Sequence, residues 1–187
     1  VSAIMEGARL IQWANEMNEA NAAATPSDLA APFDPPYSTL HVGVISGGTA
    51  HNITARDCEF LMSTRAVPGD TGWGDRIIAK AREIEAGMKA VRPEACIDIS
   101  DVFGVPPLTP ETDGPAEILA RRLTGDNAQH VVSYGTEGGQ FQVRGYSAVV
   151  CGPGDIAQAH QPDEFLTVAQ FNEGGAFMDR LIDDLCR

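Results

Sequence analysis

Two stretches indicate the fold of the first half of the chain: Thr39-Leu-His-Val-Gly-Val-Ile45 and Asp57-Cys-Glu-Phe-Leu-Met-Ser-Thr-Arg65. Both runs are rich in large apolar and β-branched residues, which favour strands. The polar turn Ser46-Gly-Gly-Thr-Ala-His-Asn52 follows the first run directly. We therefore expect two neighbouring antiparallel strands.

Helical patterns flank the two strands. The residues at about 2–20 repeat apolar positions with helical spacing, and a second helix follows Pro68-Gly69, with the apolar face Trp73, Ile77, Ala81, Ile84 and Met88. A strand at about 95–102 would complete an α-β-β-α-β order. That order is a ferredoxin-like βαββαβ domain, of the α+β type, that lacks its first strand. We expect residues 1–104 to form this domain.

The proline-rich stretch that begins at Val105 predicts a domain boundary. Beyond it, the pattern predicts a helix at about 115–124, strands at 130–133 and 147–151, and a final apolar-faced helix. Alternating helices and strands are typical of α/β packing. Residues 105–187 are long enough for only half of such a sheet.

The composition limits the partners. The 187 residues include 26 acidic and 13 basic side chains, a net charge of −13, and 43% of the residues are apolar. A surface this acidic repels phosphate backbones and anionic lipids, so we expect neither a nucleic acid nor a membrane partner. No apolar run approaches the roughly 20 residues that cross a bilayer. Four scattered cysteines form no CxxC motif, which favours a reducing cytoplasm.

Three segments carry residues suited to chemistry. The first is Gly152-Pro-Gly-Asp-Ile-Ala-Gln-Ala-His-Gln-Pro-Asp-Glu164, in which His160 follows an expected strand. Ligands of α/β sheets bind beyond the carboxyl ends of strands. His160 could be a metal ligand oriented by Asp163 or Glu164. The alternative is a solvated loop histidine.

The second segment is Ser133-Tyr-Gly-Thr-Glu-Gly-Gly-Gln-Phe141. Its backbone N–H groups and the Thr136 hydroxyl could hold a carboxylate or an oxyanion, and Glu137 could bind a substrate ammonium. The alternative is a tight turn with glycines in the left-handed region.

The third segment holds His51 and Asn52, with Arg65 at the end of the next strand. Asn52 and Arg65 could meet at one end of the strand pair and bind a carboxylate through an amide and a guanidinium. Otherwise Arg65 is a solvated charge and His51 an ordinary turn residue.

Taken together and in this order, these segments resemble the acetylornithine deacetylase family of the zinc-dependent aminoacylase and carboxypeptidase superfamily. The resemblance spans about residues 1–185. It is carried by Gly43-Val-Ile-Ser-Gly-Gly-Thr-Ala-His-Asn-Ile53, Asp57 to Gly69, Tyr134-Gly-Thr-Glu137 and, most specifically, Gly152 to Phe165.

The resemblance implies a two-domain amidohydrolase with two zinc ions, or cobalt in their place, at each complete site. A ferredoxin-like lid, about 1–104, would interrupt a zinc-peptidase-type α/β domain and form a homodimer. Residues 105–187 would be the carboxyl-terminal half of that catalytic domain. The substrate would be a small N-acyl amino acid, N-acetylornithine, and the role arginine biosynthesis.

The resemblance also implies roles for individual residues. His160 corresponds to a ligand of the second zinc. Asn52 and Arg65 correspond to lid residues that hold the substrate carboxylate. Gly135 and Thr136 correspond to the turn that lines the pocket. Glu137 corresponds to the residue that binds the charged end of an ornithine-like side chain.

The family's His-x-Asp ligand motif, bridging aspartate, adjacent glutamates and lid histidine have no counterpart in these residues. We therefore expect the chain to be a fragment with one zinc ligand, no catalytic residue and no activity of its own. Alternatives are a succinyl-diaminopimelate desuccinylase, a broader aminoacylase or carboxypeptidase, or a non-catalytic binding or dimerisation module. Thr136 and Glu137 favour the ornithine branch.

Overall fold

The computed structural model describes residues 1–100 and 103–186. The chain divides into two compact units, Val1–Pro107 with Val131–Tyr134, and Leu108–His130 with Gly135–Arg187. The helices and strands follow in the order α1 (Ala3–Ala23), β1 (Thr39–Gly47), β2 (Cys58–Arg65), α2 (Trp73–Val91), α3 (Pro115–Thr124), α4 (Gly138–Val143) and α5 (Val168–Leu185). None of these described helices is both long and apolar enough to cross a membrane.

The first unit contains the expected antiparallel strand pair. Its register runs from Thr39 opposite Arg65 to Gly47 opposite Cys58, with an irregularity at Gly43, between Val42 and Val44. This irregularity is a β-bulge, which places an extra residue in β1. The prediction of two neighbouring antiparallel strands is confirmed.

Helices α1 and α2 cover one face of the strand pair. The buried residues Leu10, Ala81, Ile84 and Met88 form a core cluster, and Phe60 and Met62 of β2 pack against it. A second cluster joins Ala14 and Trp73 to Leu40 of β1. Four of the five positions expected on the apolar face of α2 are buried, and the fifth, Ile77, packs against the second cluster.

The other face of the strand pair is exposed. Val44 and Leu61 are cross-strand neighbours on this outer face, and they are 60% and 67% exposed. Along β2, exposed and half-buried residues alternate without exception, as expected for a sheet that is covered on one side only. The outer face is therefore available for a ligand or a partner.

The expected third strand at 95–102 is not formed in the part of it that the structure describes, residues 95–100; residues 101 and 102 lie outside the described residues. Ala95, Ile97 and Ile99 nevertheless pack against the core cluster, with exposed residues between them. The backbone N–H of Ile97 donates to Glu85 Oε1 (3.1 Å), and its carbonyl accepts from Arg82 Nη1 (2.7 Å). A strand would need these backbone groups to bond to a neighbouring strand. In this extended segment they bond to side chains of α2 instead.

Glu85 connects α2 to this extended segment. Hydrogen bonds lower the pKa of Glu85 from 4.5 to about 2. The largest effect comes from the Ile97 N–H, and smaller ones come from Lys89 and Arg82. A carboxyl whose pKa is lower in the folded chain stabilises the fold fully above its unfolded pKa and loses that contribution as the pH falls towards the folded value. Stabilisation by Glu85 should therefore be complete above about pH 4.5 and fade towards pH 2.

We predict that Glu85→Gln lowers the urea midpoint of unfolding at pH 7, and that the gap to the unmodified chain closes as the pH is lowered through 4 to about 2. The matched control is Glu83→Gln, because Glu83 lies on the same helix in an exposed pair with Lys80. An equal effect of both substitutions, or a gap that does not change with pH, would contradict this role for Glu85.

The described residues of the second unit form helices and loops and no strand. The helix expected at about 115–124 is observed as Pro115–Thr124. The strand expected at 147–151 is absent, and Val149 and Val150 are 44% and 43% exposed. The strand expected at 130–133 is absent as well, and residues 131–133 belong to the first unit. Strands of this type form only with a hydrogen-bonded neighbour, and the described residues provide none. The expected α/β sheet is therefore wrong for this part of the chain as described.

Candidate substrate and metal site

The strand register separates Asn52 from Arg65. Arg65 lies opposite Thr39 at the open end of the strand pair, whereas Asn52 lies in the loop that connects β1 to β2. The seven residue steps of β2 correspond to roughly 24 Å at about 3.4 Å per residue. The expectation that Asn52 and Arg65 meet at one end of the pair is therefore wrong. A small substrate can contact only one of them in the same protomer.

Arg65 lies on the outer face of β2, with its side chain exposed. Among the residues that the structure describes, no carboxylate is within salt-bridge distance of its guanidinium. Other arginines of the same unit do have such partners: Arg76 pairs with Asp70 and Arg82 with Glu85. An exposed guanidinium without an internal partner keeps its planar pair of donors available for a ligand carboxylate.

The glycine-rich segment begins a helix. Gly138 is the first residue of α4, and Glu137 precedes it as the N-cap residue. The Gly138 N–H donates to Thr136 Oγ1 at 3.2 Å, so this N–H is not free to bind an oxyanion. Gly135, Gly138 and Gly139 have no left-handed backbone angles, so the tight-turn alternative is also wrong. Gly138 is instead closely packed, because a Cβ there would lie 3.0 Å from Leu108 Cδ2.

Gln142 anchors this short helix and was not found from the sequence. Its Oε1 accepts from the Thr109 N–H, and its Nε2 donates to the Thr109 carbonyl, both at 2.8 Å. Nε2 also donates to Glu111 Oε1 at 2.9 Å. Gln142 thereby holds the helix that begins directly after Glu137. A single glutamine in an exposed-looking segment has no sequence signal that would identify this role.

Glu111 is the centre of a polar network in the second unit. Hydrogen bonds from Ser147, from Gln142 and from the Ala148 N–H lower the pKa of Glu111. The Ser147 hydroxyl donates to Glu111 and also accepts from the N–H of Ala116, near the start of α3. The network thus joins α3, α4 and the segment after α4.

His160 is exposed in the loop between α4 and α5 and has a φ of 59°. Its backbone N–H donates to Glu164 Oε2 at 2.8 Å. Glu164 therefore binds the main chain of His160, and the expectation that Glu164 orients the imidazole is not supported. Thr167 is the N-cap residue of α5 shortly after this loop, in a reciprocal capping arrangement with Gln170.

The donor set does not by itself fit a zinc centre. Within residues 1–100 and 103–186, no group of three or more His, Cys, Asp or Glu side chains is arranged to hold a metal ion. Structural and catalytic zinc sites have at least three protein ligands. His160 can account for one ligand only, and any such centre needs donors beyond those described.

Comparison with known proteins shows a similarity of the first unit to a known domain family. Residues 1–86 match the family described as the peptidase dimerisation domain. The sequence is also similar to acetylornithine deacetylases. It is 32% identical to that of Myxococcus xanthus over 159 residues, which are 85% of this chain and 41% of the relative. It is 34% identical to that of Proteus mirabilis over 152 residues, which are 81% and 38%.

A third relative is the N-acetyl-L-citrulline deacetylase of Xanthomonas campestris, 30% identical over 150 residues, which are 77% of this chain and 38% of the relative. The chain spans about two fifths of the length of these curated relatives. The resemblance to the acetylornithine deacetylase family is thus confirmed, and most of this chain aligns with about two fifths of the length of those enzymes.

Proposed function

We propose that the chain is part of a metal-dependent amidohydrolase that converts N-acetylornithine to ornithine and acetate. The observation that carries this proposal is the similarity to acetylornithine deacetylases over more than four fifths of the chain. In the reaction, water oxygen bonds to the acetyl carbon, the amide C–N bond breaks, and the released nitrogen takes a proton. We place this reaction in arginine biosynthesis in the cytoplasm.

Arg65 is proposed to bind the substrate α-carboxylate. Its exposed position on the outer face and its lack of a carboxylate partner among the described residues support this role. A bidentate guanidinium fits a carboxylate in geometry as well as charge. Any substrate that Asn52 binds is a different molecule from the one that Arg65 of the same protomer binds, because the connecting loop lies at the far end of the strand pair.

Gly135, Thr136 and Glu137 are proposed to form the turn that lines the substrate pocket. Glu137 is exposed and, in the described part of the chain, has no cationic partner within salt-bridge distance. Its carboxylate is proposed to bind the side-chain ammonium of N-acetylornithine. Gln142 supports this turn by fixing the helix that follows it.

N-acetylcitrulline is the second candidate substrate, favoured by the relative from Xanthomonas campestris. Its side chain ends in a neutral ureido group, whereas that of N-acetylornithine ends in an ammonium. A carboxylate forms a hydrogen-bonded ion pair with the ammonium, whereas its hydrogen bonds to a neutral ureido group lack the attraction between two opposite charges. Glu137 therefore distinguishes the two candidates.

We expect Glu137→Gln to lower kcat/KM for N-acetylornithine by roughly 10- to 100-fold, the equivalent of about 1.5–3 kcal/mol for a hydrogen bond to a charged group. Turnover of N-acetylcitrulline should change little. The matched control is Glu173→Gln, because Glu173 is an exposed carboxylate in the same unit. If the unmodified enzyme prefers N-acetylcitrulline and Glu137→Gln leaves both rates unchanged, the ornithine assignment fails.

The metal and the oligomer are also proposals. His160 is proposed to ligate one of two zinc ions, with the remaining ligands supplied by residues outside this chain. The match of residues 1–86 to a dimerisation domain supports a homodimer formed through the first unit.

A further inference from the structure

Four hydrogen-bonding side chains lie together on the outer face of the strand pair. Thr39 is opposite Arg65, and His41 is opposite Ser63. Residues directly opposite each other, or two apart on one strand, project from the same face of a sheet. Thr39, His41, Ser63 and Arg65 therefore share one face at the open end of the pair, and the last three are exposed.

This patch carries the cationic Arg65 side chain in a strongly acidic chain. The net charge is −13, yet no carboxylate of the described residues lies within salt-bridge distance of Arg65 or His41. The acidic residue of β2, Glu59, lies opposite Ser46 near the other end of the pair. Six residue steps separate it from Arg65, or roughly 20 Å. The open end of the outer face is thus suited to an anion.

The spacing of the two nitrogen-bearing side chains suits a carboxylate. His41 and Arg65 are diagonal cross-strand neighbours, which places their Cα atoms about 7–8 Å apart. A carboxylate between them can accept one charge-assisted hydrogen bond of about 2.8 Å from each side. Gly43 faces the Nε2–Cδ2 edge of the imidazole, because a Cβ at Gly43 would lie 3.2 Å from His41 Nε2 and 3.6 Å from its Cδ2. The nitrogen on the side of Arg65 is therefore Nδ1.

We propose that His41 and Ser63, together with Arg65, form one carboxylate-binding site on the outer face of the strand pair. The inference rests on the proposed function, in which Arg65 binds the α-carboxylate of an N-acyl amino acid. It adds His41 as a second donor beside the guanidinium and Ser63 as a hydroxyl between them.

The experiment is a titration of the 187-residue chain with N-acetylglycine, followed by NMR shifts of the amides of β1 and β2. The neutral analogue N-acetylglycinamide is titrated in parallel. We expect the acid, but not the amide, to shift residues 39–43 and 63–65. His41→Phe, which keeps a ring over Gly43 without a nitrogen donor, should raise the apparent Kd by about three- to tenfold. His41→Gln should recover part of the loss, because its amide can donate.

The matched control is His51→Phe in the connecting loop, which should bind as the unmodified chain does. If Arg65→Met abolishes binding and His41→Phe has no effect, the inference about His41 is wrong and the role of Arg65 stands. If Arg65→Met has no effect and the amide binds as well as the acid, the assignment of Arg65 itself fails. The absence of shifts in the unmodified chain up to about 100 mM acid would overturn the site.

Discussion

Arg65→Lys will weaken the use of substrate by the full-length enzyme although the positive charge is kept. A lysine ammonium is a point charge and cannot reproduce the planar two-donor contact of a guanidinium. We expect kcat/KM for N-acetylornithine to fall by roughly 10- to 100-fold, equivalent to about 1.5–3 kcal/mol. Stability should change little, because the Arg65 side chain is exposed.

Arg65→Lys has two controls: a substrate without the α-carboxylate and a variant at another exposed arginine. A substrate whose α-carboxylate is replaced by a neutral amide should be discriminated against by the unmodified enzyme and much less so by Arg65→Lys. Arg56→Lys is the matched variant, because Arg56 is exposed in the connecting loop of the same unit. Equal preference for the acid in both enzymes would show that Arg65 does not bind the carboxylate.

His160→Ala will remove one metal equivalent from each chain of the full-length enzyme. Loss of a residue that merely orients a metal ligand costs about 10- to 100-fold in affinity or activity. Loss of a direct ligand should therefore cost at least about 100-fold in activity. Metal analysis after dialysis, together with an ornithine-release assay, measures both effects.

The control for His160 is His130→Ala. His130 is exposed in the same unit, and its Nε2 is 2.9 Å from Asp126 Oδ2. His130→Ala and His41→Ala should keep the full metal content. Equal metal loss in all three variants would show that His160 has no special role.

Local patterns account for the parts of the fold that the sequence predicted. The helix at 115–124 and the buried face of α2 follow from helical periodicity, and the strand pair follows from two apolar runs joined by a polar loop. The third strand could not be predicted in the same way. Ala95, Ile97 and Ile99 alternate as a strand would, but a strand also requires a neighbour, and side chains of α2 occupy the backbone groups of Ile97.

The candidate site was predictable in residue types and not in placement. Asn52 and Arg65 are 13 positions apart in sequence, which does not reveal that the register puts them at opposite ends of the strand pair. Glu164 was expected beside the His160 imidazole but binds its backbone N–H. Hydrogen-bond partners such as Gln142 with Thr109 depend on long-range packing that no local pattern encodes.

The most direct test of the proposed function is the rate at which the full-length enzyme releases ornithine from N-acetylornithine, compared with its rates on N-acetylcitrulline and N-succinyl-diaminopimelate. We expect the highest kcat/KM for N-acetylornithine. No release of ornithine, or a higher kcat/KM for the succinyl substrate, would contradict the assignment.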